Sequence, residues 1–390
     1  MKPETLCVCA PRGEDPYDAI SPPIYQTATF RQESATEFGD YDYTRSGNPT
    51  RAILEEQVAH LEGGRHGLAF SSGMAAIAAL TRLLQSGDEV LASDDLYGGT
   101  FRLLGKVLPR MGIGTRLVDA TDPEKVRAAI GERTKLLLIE TPSNPRLQIC
   151  DIAALSAVAH ERGVRVAVDN SLLSPVQQQP LKHGADVVIH SGTKALGGHS
   201  DATAGALIVS DDALAQELRF FQNAEGAGLA PFECWLLIRG IKTLSLRTER
   251  QSQSAKAIAE HLQRHPAIEN VYYPGLSAHP GRLVHERQAT GGGPVLSFTT
   301  GDAALSKRIV EAARIFCIAV SFGSVHSSIS LPLHMSHAST PQHLRTGELG
   351  ADLVRLSVGV EACSDLIADL DQAIEGARTR DFAPGRAATL

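Results

Sequence analysis

Between residues 67 and 209 the chain repeats one pattern: a short apolar run, a polar turn, then a helix-like stretch. The runs fall at Gly67–Ser71, Glu89–Ala92, Gly114–Val118, Lys135–Glu140, Val164–Val168, Ala185–His190 and Ala204–Val209. LLLI (136–139) and VRVAV (164–168) are too apolar for a sheet with one wet face. They predict strands buried on both faces, as in a mostly parallel sheet covered by helices. Pro123–Ile130 and Ile152–Arg162 read as intervening helices. Asp122 and Asp151 are placed to cap them, and Pro123 takes the first helical position, where its missing N–H costs nothing. The alternation predicts an α/β domain with a layered sheet.

Farther on, residues 231–265 carry a helical pattern too long for one ordinary helix, so a bend or break is expected near Gly240, with a domain boundary along it. Strands near Val271–Tyr273, Val295–Thr299 and Val354–Val358 then alternate with helices at Asp302–Arg314 and Cys363–Ala377, which reads as a smaller α+β domain. The expected organisation is an N-terminal arm over 1–55, a large domain over 56–245 and a C-terminal domain over 246–390.

Composition removes several function classes. The 37 Lys and Arg against 44 Asp and Glu leave a net charge of −7, without the basic excess that nucleic acid demands. No run approaches the ~18 apolar residues of a membrane span, and the first residues lack the apolar core of a secretory signal. A soluble, cytoplasmic protein is expected, with no nucleic-acid or membrane partner. Six cysteines in 390 residues are too sparse for a disulfide framework, and Cys7 and Cys9 have no second pair at zinc-site spacing, so no metal is expected.

In open α/β sheets ligands bind beyond the carboxyl ends of the strands. The polar residues collected there form a specific set. Ser72-Gly73-Met74 follows a strand and opens a helix, where free N–H groups favour an anion. Ser191 and Thr193 offer hydroxyls to the same anion, Lys194 comes next, and Asp169 ends the neighbouring run. A phosphate cradle, one lysine and one carboxylate match what pyridoxal 5′-phosphate (PLP) requires: an amine for its aldehyde and an anion for its ring nitrogen. Competing motifs fail. Gly99 and Gly105-Lys106 are one residue too far apart for a P-loop, and Val107 replaces its Ser/Thr. No G-x-G-x-x-G follows a strand. Gly198–Ala202 lacks both the strand and the final glycine of a hydrolase elbow. His261 and His265 read as a solvated helix face, and His334 and His337 as hydrogen-bonded structural groups.

The sequence resembles the Cys/Met metabolism family of fold-type I PLP enzymes, which includes cystathionine γ-synthase, γ-lyase and β-lyase and methionine γ-lyase. The resemblance rests on DYTRSGNPTR (42–51), FSSGMAA (70–76), DDLYGGT (94–100), ETPSNP (140–145), AVDNSLLSP (167–175), HSGTKALGGHSDATAG (190–205) and VRLSVGVE (354–361). Three further stretches, 15–30, 221–243 and 318–339, look most like plant-type cystathionine β-lyase. The resemblance implies an aspartate aminotransferase-like α/β fold, with a mostly parallel seven-stranded sheet, helices on both faces and a smaller C-terminal α+β domain. It implies PLP as cofactor and a homotetramer built from dimers with shared sites.

It also implies roles. Lys194 would carry the cofactor and shuttle the proton, with Tyr97 and Tyr43 as further catalytic groups. Asp169 would face the ring nitrogen, and Tyr97 would stack on the ring. Ser72, Gly73, Met74, Ser191 and Thr193 would hold the phosphate, joined by Tyr43 and Arg45 from a neighbouring subunit. Arg355 would clamp the substrate α-carboxylate, with Asn144 and Ser321 nearby and His326 toward the distal end. Gly99 stands where methionine γ-lyases have Cys, and His326 where γ-enzymes have Glu. The implied activity is a carbon–sulfur lyase splitting L-cystathionine by β-elimination. The γ-lyase and γ-synthase reactions are alternatives from the same family. A catalytically silent PLP-binding protein is an alternative from another class, disfavoured by the presence of both the lysine and the carboxylate clamp.

Overall fold

The computed structural model describes residues 1–9, 11, 15–335 and 350–379. Seven strands form one sheet: β1 (His66–Phe70), β2 (Glu89–Ser93), β3 (Gly114–Val118), β4 (Thr134–Glu140), β5 (Arg165–Asp169), β6 (Val187–Ser191) and β7 (Gly205–Val209). They lie in the order β1-β7-β6-β5-β4-β2-β3. Pairing is parallel from β6 through β5, β4 and β2 to β3, whereas β7 runs against both β6 and β1. The reversal follows from the connection: residues 192–204, between β6 and β7, contain no helix, and a parallel return needs a crossover.

The expectation of strands buried on both faces holds in detail. Val90, Leu136, Leu138 and Ile189 point into one apolar cluster with the helix Gly73–Thr81. Their neighbours Leu91, Leu137, Ile139 and Val168 point into another, with the helix Ile152–His160. Period-two alternation therefore feeds two cores at once. The caps are also present: Asp122 Oδ1 accepts the Glu124 N–H at 3.0 Å and Asp151 Oδ1 that of Ala154 at 3.1 Å. Each such cap contributes about 1 kcal/mol.

The long helical pattern divides into Pro231–Ile241 and Leu244–Leu262. The break falls just beyond Gly240, which lies inside the first helix and serves close approach rather than bending. A Cβ there would meet the Gly197 carbonyl oxygen at 2.3 Å. Arg247, buried in the second helix, donates to the Ala195 carbonyl and to the Gly240 carbonyl, both at 2.8 Å. The two helices thus grip the backbone on the C-terminal side of Lys194.

A second sheet has the order β10-β11-β12-β9-β8, with β8 (Asn270–Tyr272), β9 (Val295–Thr299), β10 (Cys317–Ile318), β11 (Ser328–Ser330) and β12 (Val354–Ser357). The helices Leu244–Leu262, Ala303–Ala312 and Cys363–Arg378 share its apolar core. His261 lies on a partly solvated face, where it pairs with Asp371 at 2.6 Å and ties two of these helices together. His334 is exposed, and His337 lies outside the described residues. The helix Pro49–Glu62 runs through residue 55, the expected end of the N-terminal arm. Among the described residues no helix is long and apolar enough to cross a membrane, and no cluster of His, Cys, Asp and Glu is placed to hold a metal ion.

Candidate active site

Because β1, β2, β4, β5 and β6 all point the same way, their carboxyl ends lie along one edge of the sheet, and the polar turns after them meet there. A cavity of about 430 Å³ opens at this edge. It is lined by Ser72, Gly73 and Met74 after β1, Tyr97 after β2, Glu140 and Asn144 at and beyond the end of β4, Asp169 on β5, and Ser191, Thr193 and Lys194 at and after β6. The second sheet closes the far side with Arg355 of β12 and with Ser321 and Phe322. Residues scattered over nearly 300 positions thus share one pocket.

Lys194 is half-buried. Burial and the nearby Arg355 cation lower its pKa to about 8. Its Nζ donates to Ser321 Oγ at 2.6 Å and lies 4.9 Å from the centre of the Phe322 ring. Ser321 also offers its carbonyl to Arg355 Nη2 at 2.8 Å, so one residue joins the lysine to the guanidinium. To do so it adopts φ +82°, a left-handed conformation costing a serine about 1–3 kcal/mol. Arg355 is 2% exposed, and Nη1 donates to Asn144 Oδ1 at 2.9 Å. Burial pulls its pKa down to about 10. Its Nε is buried with no hydrogen-bond partner. A cation held so far from water, on a residue lining the cavity and with one donor left unpaired, is suited to an anionic ligand group.

The opposite end suits a phosphate. Ser72 caps the helix Gly73–Thr81, accepting the Ala75 N–H at 3.1 Å, and leaves the first-turn N–H groups facing the cavity. Gly73 passes so close to β6 that a Cβ would lie 3.0 Å from that of Ser191. The backbone can therefore reach an anion between Gly73, Ser191 and Thr193. Between the two ends sits Asp169, whose Oδ1 accepts the Ser171 N–H at 2.9 Å. Burial raises the pKa of its carboxyl. A cationic ring nitrogen delivered to it would favour the carboxylate instead. Amine, carboxyl and anion cradle stand in one cavity and fit PLP.

Tyr97 remains 39% exposed at the mouth, free to cover a ring. Position 99 has no room for a side chain: a Cβ there would lie 2.4 Å from Tyr97 Cε1 and 2.9 Å from Met74 Sδ. A cysteine at this position would displace the tyrosine.

Three expected residues lie outside this cavity. Tyr43 and Arg45 line a separate surface groove, with the Arg45 guanidinium 5.3 Å from the Tyr43 ring centre and Nε on Asn223 Oδ1 at 3.2 Å. His326 is exposed in an adjoining recess that shares Thr193, Ser321 and Phe322 with the main cavity. Conversely, sequence reasoning gave no role to Glu140, Ser171 or Phe322. Glu140 carries a signal in retrospect, since a carboxylate directly after LLLI must enter the sheet edge. Phe322 has none, because its place depends on the second sheet.

Compared with known proteins, the chain matches the Cys/Met metabolism PLP-dependent enzyme family over residues 4–375. It is 56% identical over 361 residues to a chloroplastic cystathionine β-lyase of Mimosa pudica, covering 92% of this chain and 79% of that protein. It is 53% identical over 372 residues to the chloroplastic cystathionine β-lyase of Arabidopsis thaliana, covering 95% and 80%. A crystal structure of cystathionine γ-lyase from Lactobacillus plantarum complexed with L-serine superposes with a TM-score of 0.94 at 40% identity, covering 96% of this chain and 99% of that one. The cavity's lysine, carboxyl and anion cradle fit the PLP after which the family is described, and with the match spanning nearly the whole sequence, the chain belongs to the Cys/Met metabolism PLP-dependent enzymes.

Proposed function

We propose that this chain is a carbon–sulfur lyase that converts L-cystathionine and water to L-homocysteine, pyruvate and ammonia. The observation that carries the reading is the bridge through Ser321, which holds Lys194 Nζ and the Arg355 guanidinium in one cavity. A base and a carboxylate clamp so joined address the two neighbours of an amino-acid Cα. Plant relatives named cystathionine β-lyase support the choice among the family's reactions.

PLP, when bound, supplies a sink for the electron pair left at Cα. The chain's residues do the rest. Arg355, steadied by Asn144 and Ser321, takes the α-carboxylate and so turns the one Cα hydrogen toward Lys194. Lys194 Nζ removes that proton, and a pKa lowered to about 8 by burial and the Arg355 cation keeps a larger share of the amine neutral than an ordinary lysine would have. Asp169 would hold a proton on the cofactor's ring nitrogen, and Tyr97, at the mouth of the cavity, would cover the ring. The bond between Cβ and sulfur then breaks, and homocysteine leaves as the thiolate.

The test is the oxo acid formed. Binding of the three-carbon arm of cystathionine places its C–S bond β to the captured amine and yields pyruvate; the four-carbon arm yields 2-oxobutyrate and cysteine. Chromatography of products from purified enzyme is expected to show pyruvate predominating. A main product of 2-oxobutyrate would assign the γ-lyase reaction instead.

We further read the active form as a homotetramer in which Tyr43 and Arg45 complete a neighbour's phosphate site. Their separate groove supports this, as do Tyr17, Ile20 and Phe38, left 89%, 86% and 67% exposed on the same N-terminal segment. Mixed dimers of Arg45→Ala and Lys194→Ala subunits, each inactive alone, are expected to recover up to about a quarter to a half of wild-type activity per dimer, since one intact site reassembles. No recovery in verified mixed dimers would return both residues to a local structural role. The six free cysteines suit a reducing compartment; we read it as the cytoplasm, while the plant relatives are named chloroplastic.

A further inference from the structure

Glu140 ends β4 beside Asp169, its partner in register on β5, and its side chain lines the cavity while remaining 7% exposed. Its Oε2 accepts the backbone N–H of Tyr97 at 3.0 Å. The backbone N–H of Asn144 faces the same carboxyl and helps offset its burial. One side chain therefore meets the main chain of two loops, one after β2 and the other after β4. Tyr97 carries the ring at the mouth of the cavity. Asn144 accepts from Arg355 Nη1 at 2.9 Å.

We propose that Glu140 is a positioning residue that locks the stacking tyrosine and the Asn144–Arg355 carboxylate clamp into one register, so that cofactor and substrate are aligned by a single acceptor group. The role rests on the PLP reading of the site and adds the residue that couples its two halves. It requires hydrogen-bond acceptance rather than charge. Burial and the neighbouring Asp169 both push the Glu140 carboxyl toward its neutral form, and a neutral carboxyl still has a carbonyl oxygen for a backbone amide. Removing the acceptor would release the loop after β2, leave the Tyr97 N–H to find another partner, and take away the group that the Asn144 N–H faces. Tyr97 would then tilt and Arg355 would lose its fixed placement, although neither is touched.

The variants are Glu140→Gln, which keeps an acceptor oxygen at the same reach, and Glu140→Met, which keeps the length without one. Both are compared as holoenzyme at equal PLP content, by visible circular dichroism of the bound cofactor and by KM and kcat with L-cystathionine. Glu140→Met is expected to lose about half or more of the cofactor's dichroic band and to raise KM about tenfold, while Glu140→Gln stays within about threefold in KM with its band retained. A merely structural glutamate would lower the yield of folded enzyme but leave both readouts unchanged per bound cofactor. Retention of band and KM in Glu140→Met would overturn the proposal, as would equal damage in the two variants. If Glu140→Met does not accumulate, Glu140→Asp, whose carboxyl is withdrawn by one methylene, is held to the same two readouts. The dichroic band needs no substrate, so a wrong choice of substrate would leave it informative.

Discussion

Replacing Lys194 by alanine is expected to lower turnover by about 10³-fold or more, because one side chain serves both as the covalent anchor of the cofactor and as the base at Cα. Reduction of the wild-type holoenzyme with borohydride, followed by peptide mapping, is expected to find the cofactor on Lys194. Label on another lysine would move the site. The half-buried amine has a second consequence. Its pKa near 8, well below that of an ordinary lysine, comes first from burial and then from the Arg355 cation. Below that value Nζ is protonated and cannot attack an aldehyde; above it the free amine dominates. Covalent capture of PLP by the apoprotein is therefore expected to accelerate from about pH 7 to about pH 9 and then level off. A rate flat across that interval would show that the amine titrates elsewhere.

Substituting Arg355 by lysine is expected to produce the second large effect, although charge is retained. The guanidinium donates to Asn144 and to the Ser321 carbonyl through its two Nη groups, with Nε left unpaired. A lysine ammonium at this buried position cannot reproduce that planar fork. Disturbing a buried, hydrogen-bonded charge contact costs about 3 kcal/mol, roughly a hundredfold in kcat/KM. The loss should fall mainly on KM for the amino acid, with cofactor binding nearly intact. Titration with cofactor and steady-state kinetics separate the two. Weakened PLP binding with an unchanged KM would place Arg355 at the cofactor rather than at the substrate carboxylate.

Much of this site was legible before any coordinates, and for a local reason. A strand buried on both faces is a continuous apolar run, and the polar residue that ends it must stand at the sheet edge. Ser72, Asp169, Ser191 and Lys194 were all found that way, and the seven runs match seven strands to within a residue or two. The same logic reached Val295–Thr299 in the second sheet. It missed Cys317–Ile318 and Ser328–Ser330, which are two and three residues long. Such short strands carry too little periodicity to be seen and exist because β12 pairs with Ser328–Ser330. The helix break near Gly240 was placed correctly for a different cause, since that glycine makes room for the loop after Lys194.

The sequence by itself determined the alternation of strand and helix, the two buried faces of the large sheet, and a lysine, a carboxylate and an anion cradle at strand ends. These depend on neighbours in the chain: periodicity, capping and turns. Only the tertiary structure decided how Lys194 and Arg355 meet, because Ser321 bridges them from another part of the chain in a strained conformation that local preference opposes. It decided that Glu140 spans two loops, since that requires the register of β4 beside β5 and the position of the loop after β2. It also sent Tyr43 and Arg45 away from their own chain's cavity. Contacts between distant segments are set by how the two sheets pack, and residue spacing carries no trace of that packing.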